Sequence, residues 1–369
     1  MRARGAVVEA IGLPAIVEEI EIDDPGPGEV LVRIEASGVC HSDLWAMHNG
    51  NWGGDFPMLL GHEGAGVVET VGEGVSSPSV GERVVLAWAV PCGWCPQCER
   101  GRARRCAHGW TQPPRLRRAR TGAPLVGTLQ LGTLATHTLV HAAQAVPVPS
   151  EADPSRTCLI GCGVSTGVGA AIRTAEVFAG ASVAVIGLGG IGLAALQGSR
   201  IAGAATLIAV DRVPRKLEWA RGVGATHTVD ASESDPVEVV RELTDGLGVD
   251  FAFEATGVPE VVAQAVAMLA YAGTAVAIGV PPIPAEVTLD WNGSERSAYS
   301  HKASLLITDG GDPIPSEDFP EMARWYLDGR LDLDAMVTRE LRLTDEDLGK
   351  AFTSMLAGEV VRSVVRPGG

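Results

Sequence analysis

Few patterns restrict a fold as sharply as a glycine series set between an apolar strand and a helix, and this 369-residue chain has one. Ser182 to Gly187 is a short apolar run, and Gly187, Gly189, Gly190 and Gly192 follow in Gly-Leu-Gly-Gly-Ile-Gly. A strand that turns this tightly into a helix presents free backbone N–H groups and positive potential at the helix N-terminus, which suits a pyrophosphate. Gly187 permits the tight turn, Gly189 lets the backbone approach the phosphates, and Gly192 allows close helix–strand packing. Asp211 stands nineteen residues beyond Gly192, where a carboxylate can accept from both adenosine ribose hydroxyls. A 2′-phosphate would sit against that carboxylate, so Asp211 favours NAD over NADP, while the adjacent Arg212 argues the other way. The competing reading is a glycine-rich turn with no ligand, since a chain with 46 Gly can produce the pattern by chance.

The surroundings decide for the dinucleotide. From Ser182 onward the apolar runs Thr206 to Asp211, His227 to Asp230, Val249 to Thr256 and Thr274 to Val280 alternate with helix-length segments such as Pro214 to Val223 and Asp235 to Asp245. Repeated βα units of this kind predict a doubly wound parallel sheet. The first third has another rhythm. Ala3 to Ala10, Ala15 to Ile22 and Glu29 to Ala36 alternate apolar and polar residues between Pro/Gly turns, which predicts a small, strongly turned β domain. Near the end, Thr308 to Pro320 is turn-rich, Phe319 to Leu327 helix-like and Val360 to Val365 strand-like.

With 29 basic and 45 acidic residues the net charge is −16, which argues against nucleic acid or an anionic membrane surface as a partner. The longest weakly polar run, Ser182 to Gly198, is broken by five glycines and is shorter than the roughly 18 apolar residues of a spanning helix. The N-terminal MRARGAVVEAIGLP lacks the apolar core of a signal peptide, so the expected location is the cytoplasm. One stretch departs from the acidic average. Residues 100–120 hold eight Arg and no acid, leaving −24 for the rest.

Four of the seven cysteines, Cys92, Cys95, Cys98 and Cys106, lie within fifteen residues. Four soft ligands on one loop fit a closed, structural zinc site, with two disulfides or an iron–sulfur cluster as alternatives. Cys40, Cys158 and Cys162 are dispersed, and spacing alone assembles no site from them. Singly, a buried thiol or a hydrogen-bonded core histidine at His62 accounts for each.

The combination Gly-Val-Cys40-His-Ser-Asp43, Gly61-His-Glu-Gly-Ala-Gly66, the four-cysteine lobe, Leu159-Ile-Gly-Cys162-Gly-Val-Ser-Thr166-Gly and the glycine fingerprint with its Asp resembles the zinc-dependent medium-chain alcohol dehydrogenases in order and spacing. Stretches such as IAVDRVPRKLEWARGVGATHTVDAS look closest to the actinobacterial branch of mycothiol-dependent formaldehyde dehydrogenases and nicotinoprotein alcohol dehydrogenases. The resemblance implies a Rossmann α/β domain at about 164–306 and a GroES-like β-rich catalytic domain at 1–163, completed by 307–369, with the zinc lobe at about 90–110. It further implies two zinc ions per chain, NAD, a small alcohol or aldehyde as partner, and a homodimer.

By the same resemblance Cys40, His62 and Cys162 would bind a catalytic zinc. Asp43 would orient His62, and Glu63 would assist ligand exchange at the metal. Ser42 would take the alcohol proton. Relatives pass that proton to a histidine three positions further on, where this chain has Trp45, with His48 a turn beyond as a possible substitute. His41 and Arg362 would contact the pyrophosphate and Lys216 the ribose; Thr166 and Val280 would line the nicotinamide, and Trp88 the substrate. The implied activity is hydride transfer between NAD and an alcohol, or the hemithioacetal of formaldehyde and a thiol. A non-catalytic NAD-binding or sensor protein on the same scaffold is the alternative. Relatives that grip a thiol's carboxylate with an Arg suggest that Arg115, Arg117 and Arg118 draw in an anionic substrate, against the plainer reading of solvated loop arginines.

Overall fold

The structure is a computed structural model and describes residues 1–50, 56–106, 115–294 and 297–368. The chain divides into two compact units: Met1–Cys162 with Ile314–Gly329 and Met336–Gly369, and Gly163–Pro313 with Arg330–Ala335.

In the first unit the described strands are β1 (Arg2–Val8), β2 (Ile16–Ile22), β3 (Glu29–Val39), β4 (Met58–Leu59), β5 (Glu63–Val71), β6 (Arg83–Leu86), β7 (Leu116–Arg118), β8 (Pro124–Gly127), β9 (His137–His141) and β10 (Ala145–Pro147). β1, β2, β7, β8 and β4 close into a barrel around Ile20, Ile22, Leu59, Leu116 and Leu125. The others form a sheet ordered β10-β6-β5-β3, with β9 also on β3, and two late strands described below extend it. The alternation in Glu29 to Ala36 predicts one wet face, yet β3 is almost wholly buried and only Arg33 and Glu35 reach partly into solvent. Both of its faces are covered: Val30, Val32 and Ile34 lie in one core cluster, and Leu31 packs with Ile20, Ile22 and Leu59 in the barrel core.

The second unit is a six-stranded, wholly parallel sheet. Its strands are β11 (Ser182–Ile186), β12 (Thr206–Asp211), β13 (His227–Asp230), β14 (Val249–Glu254), β15 (Leu269–Ala277) and β16 (Ser304–Ile307), in the order β13-β12-β11-β14-β15-β16. The order reverses between β11 and β14, the switch point at which such sheets bind ligands. The unit runs on to Pro313 rather than ending near 306, because β16 joins the sheet at β15 and Thr308 N donates to Ala277 O at 3.2 Å. Arg330–Ala335 belongs to it as well: Gln197 exchanges bonds of 3.2 and 2.7 Å with the Asp332 backbone. The helix Pro315–Leu327 belongs to the first unit, to which the chain returns again at Met336, and there β17 (Val337–Arg342) and β18 (Arg362–Arg366) complete the sheet along β3. No described helix is long and apolar enough to cross a membrane.

The arginine-rich stretch proves to be two different things. Arg100, Arg102 and Arg105 are exposed, whereas β7 pairs with β2 and carries the later arginines onto acids about a hundred residues away in sequence. Arg118, only 5% exposed, holds Glu18 at 2.5 and 2.8 Å and also binds Glu9. Arg120 reaches Glu9 at 2.9 Å, Arg117 pairs with Asp23, and Arg115 lies 3.5 Å from Glu29. The expectation that Arg115, Arg117 and Arg118 attract an anionic substrate is therefore corrected. Their charge is already neutralised in the barrel wall, and breaking a buried pair such as Arg118–Glu18 typically costs ~3–5 kcal/mol.

Candidate metal centres and dinucleotide site

Three adjacent strand ends build the first centre. Antiparallel pairing sets Gly38 opposite Glu63 and Val39 opposite Ser363, so the end of β3, the start of β5 and the start of β18 bring Cys40, His62, Glu63 and Arg362 together. A Cβ on Gly38 would overlap the Glu63 carboxylate, so a glycine is required there. Cys162 arrives from the 3₁₀ turn Cys158–Gly161. Ligand atoms of Cys40, His62, Glu63 and Cys162 all lie within 4.8 Å of one another, and all four residues are buried.

Asp43 organises this cluster. It is fully buried in the first turn of the helix His41–Asn49 and accepts from Cys40 N at 3.0 Å, from Gly61 N at 3.1 Å and from His62 Nδ1 at 3.0 Å. With Nδ1 so engaged, His62 turns its Nε2 lone pair toward the thiols, and that buried nitrogen has no hydrogen-bond partner. An orphaned imidazole nitrogen facing two cysteines is the donor set of a zinc site with three protein ligands and a further position.

Arg362, expected at the pyrophosphate, is buried with its guanidinium on the Glu63 carboxylate, because it opens β18 directly beside β3. Burial pushes the Glu63 carboxyl above its usual range, and the Arg362 charge opposes that shift. Ser42 stands next to the cluster, its hydroxyl 3.7 Å from Cys40 Sγ. His41 and His48 are exposed on the same helix, Trp45 is half-buried, and Trp88 packs against the sheet core.

The second centre is the lobe. Cys95 Sγ lies 3.6 Å from that of Cys98 and 3.9 Å from that of Cys106, and Cys92 and Cys98 are 4.0 Å apart. Zinc–sulfur bonds of about 2.3 Å in a tetrahedron give edges of about 3.8 Å. Disulfides are excluded, since all seven cysteines are free. The backbone N–H groups of Cys92 and Cys95 each donate to a lobe sulfur at 3.3 Å, as suits thiolates. Cys158 is fully buried and belongs to neither centre.

In the second unit, Gly187 takes φ 91° and Gly192 packs against its carbonyl, so the turn is as tight as the motif requires. At Gly189 a Cβ would meet nothing within 4 Å, which leaves the approach open for a ligand. Gly189 caps the helix Gly190–Ile201, whose first N–H groups face that opening. Asp211 ends β12 beside β11, accepts from Leu188 N at 2.7 Å and Val213 N at 3.0 Å, and lies 3.7 Å from Lys216 Nζ. Thr166 is buried on the helix Gly163–Gly169, and Val280 is 70% exposed just past β15. Residues that these motifs did not single out include the Thr174–Thr308–Asp312 cluster, which carries no recognisable local pattern.

A parallel α/β unit with a dinucleotide turn, in one chain with a β-rich unit that bears two thiolate metal clusters, defines a zinc- and nicotinamide-dependent oxidoreductase. Comparison with known proteins agrees. Residues 26–150 match the alcohol dehydrogenase GroES-like domain and residues 190–328 the zinc-binding dehydrogenase domain. The chain is 35% identical to an alcohol dehydrogenase class-3 of Cereibacter sphaeroides and 35% identical to an S-(hydroxymethyl)glutathione dehydrogenase of Paracoccus denitrificans, each over 99% of this chain and 100% of the relative. Among solved structures, an alcohol dehydrogenase zinc-binding domain protein from Burkholderia ambifaria superposes with TM-score 0.91 at 34% identity, and a benzyl alcohol dehydrogenase from Acinetobacter calcoaceticus with 0.90 at 29%, each over 99% of both chains. The chain belongs to the zinc-dependent medium-chain alcohol dehydrogenases.

Proposed function

We propose that this enzyme oxidises primary alcohols to aldehydes with NAD, and that Ser42, Asp43 and Glu63 serve the reaction around Cys40, His62 and Cys162. The observation that carries this reading is the buried His62, fixed by Asp43 with its second nitrogen free for a metal. When bound, zinc supplies a Lewis acid that acidifies an alcohol toward neutrality, and NAD supplies the hydride acceptor. Ser42 accepts the alcohol proton. With Trp45 in place of a histidine and His48 exposed on the same helix, that proton leaves Ser42 for solvent by a short route. Asp43 holds the His62 tautomer, and Glu63, balanced by Arg362, offers a further oxygen near the ligand atoms. Gly187, Gly189, Gly190 and Gly192 receive the pyrophosphate, and Asp211 with Lys216 the ribose.

The neutralised arginines of β7 favour an uncharged alcohol over an anionic thiol adduct. Identity to the S-(hydroxymethyl)glutathione dehydrogenases favours the adduct as second reading. Steady-state turnover of benzyl alcohol, of ethanol and of formaldehyde with glutathione or mycothiol separates them. The expected result is the highest kcat/KM on a neutral alcohol, with Ser42→Ala reducing it by about 10²-fold or more, the scale of a lost proton acceptor. Turnover of formaldehyde only when thiol is added, and none of free alcohols, would replace the first reading with the second.

We also propose a homodimer joined at β16. That strand pairs only with β15 among the described residues, and its outer edge is apolar, with Ile307 82% exposed and Leu305 and Leu306 exposed as well. A free apolar edge invites pairing with a second copy. Sedimentation is expected to give twice the chain mass, and Ile307→Lys to lower it toward one chain; an unchanged dimer would place the interface elsewhere. Seven free thiols, four of them in one metal-like cluster, suit the reducing cytoplasm.

A further inference from the structure

We infer that Thr174, Thr308 and Asp312 form a latch that positions the nicotinamide side of the dinucleotide site, with Asp312 as its positioning residue. The inference rests on the reading of Thr166 as a nicotinamide-lining residue. Thr166 sits on the helix Gly163–Gly169, which does not end as an α-helix but widens into the π-turn Ala170–Thr174. Such turns are rare, cluster at functional sites and persist where tertiary contacts hold them.

The helix is packed backbone to backbone on two sides. On one, a Cβ at Gly198 of the dinucleotide helix would meet Val168 Cα at 2.8 Å, and one at Gly167 would strike the Ile191 carbonyl. On the other, a Cβ at Gly311 would meet the carbonyls of Ser165 and Thr166 at 2.5 Å, and one at Gly169 would strike the Gly311 carbonyl. The loop after β16 therefore lies directly on the turn of helix that carries Thr166, and any shift of that loop must move the turn or open a gap.

That loop runs through left-handed backbone. Gly310, Gly311 and Asp312 take φ 66°, 83° and 53°, and Asp312 has a side chain in the left-handed region that favours glycine. What holds it is the carboxylate. Asp312 Oδ2 accepts from Thr174 Oγ1 at 2.6 Å and from Thr308 Oγ1 at 3.1 Å, and the two hydroxyls are 2.9 Å apart. One carboxylate oxygen thus ties the end of the π-turn to the end of β16, clamping the helix against the dinucleotide helix. Bonds of hydroxyls to a carboxylate are among the stronger ones.

Binding of NADH and of ADP-ribose, which lacks the nicotinamide, tests this in the zinc-loaded full-length enzyme by tryptophan fluorescence and calorimetry. Asp312→Ala and Thr174→Val are each expected to weaken NADH about tenfold, the scale of one or two lost hydrogen bonds, and ADP-ribose by no more than about twofold. Asp312→Asn keeps an oxygen that can accept from both hydroxyls and is expected to restore NADH affinity. A role confined to fold stability would weaken both ligands together, follow the melting temperature and overturn the inference, as would unchanged NADH affinity in Asp312→Ala. Thr166→Ala separates the inference from its premise. If it weakens NADH selectively while Asp312→Ala does not, the latch fails alone; if it leaves NADH unchanged, the nicotinamide assignment fails and the inference with it.

Discussion

Cys40→Ser is expected to leave one zinc per chain and to lower kcat/KM for alcohol oxidation by about 10³-fold or more. A serine hydroxyl is a far weaker zinc ligand than a thiolate, and the several kcal/mol of charge stabilisation that a Lewis acid supplies is lost with the metal. NADH binding should survive, because Gly187 to Gly192 and Asp211 belong to a different unit from Cys40 and His62. Metal analysis, steady-state kinetics and NADH fluorescence on one preparation check all three parts. Asp43→Asn should fall between this variant and the wild type, with a loss of about 10–100-fold, since it spares the ligands and disturbs only what orients His62. Two zinc ions and near-full activity in Cys40→Ser would show that the cluster is a packing arrangement and not the reaction centre.

The second large effect belongs to the lobe. Cys95→Ser removes a thiol that lies within 4 Å of two others, and little else there can hold the chain. The helix Pro96–Glu99 has four residues and the 3₁₀ turn Ala103–Arg105 three, far below the ~12 or more that an isolated helix needs. A structural zinc contributes on the order of 10 kcal/mol to ordering such a segment. The expected result is one zinc per chain, a lower melting temperature and rapid tryptic cleavage at Arg100, Arg102 and Arg105, which the folded lobe presents in a fixed conformation. The same digestion of wild type after treatment with a strong chelator should reproduce the pattern. Resistance to trypsin equal to that of the loaded enzyme would mean that packing, not metal, holds the lobe.

How far each part was legible in the sequence follows from how local its cause is. The strand starts at Ser182, Thr206 and His227 were legible because strand periodicity and turn residues act within a few positions, and the glycine fingerprint because its parts share one turn. The four-cysteine lobe is equally local. Cys40, His62 and Cys162 could be joined only by resemblance, since no rule of spacing brings residues so far apart to within 4.8 Å. β16 was missed because four residues between turn-rich stretches carry no clear period, and its place in the sheet comes from pairing with β15. The reading of Arg115, Arg117 and Arg118 as a lure for an anionic substrate fails for the same reason. Sequence shows a run of charge but not that β2 will lie beside it with Glu18, and strand register alone settled that.

A dinucleotide turn and a four-thiol lobe are written locally, in residues whose side chains allow few other uses, and they specify the class of chemistry, whereas the second ligand set is joined only by resemblance. Folding then assigns which charges are spent and which are free. Arg118 is committed to Glu18 and Glu9, Arg362 to Glu63 and Asp312 to two threonine hydroxyls, while the His62 Nε2 lone pair is left for a metal. The difference is one of range. Turns and metal loops are set by neighbours in the chain, but an ion pair or a hydrogen bond is set by neighbours in space, and those exist only once the strands have paired.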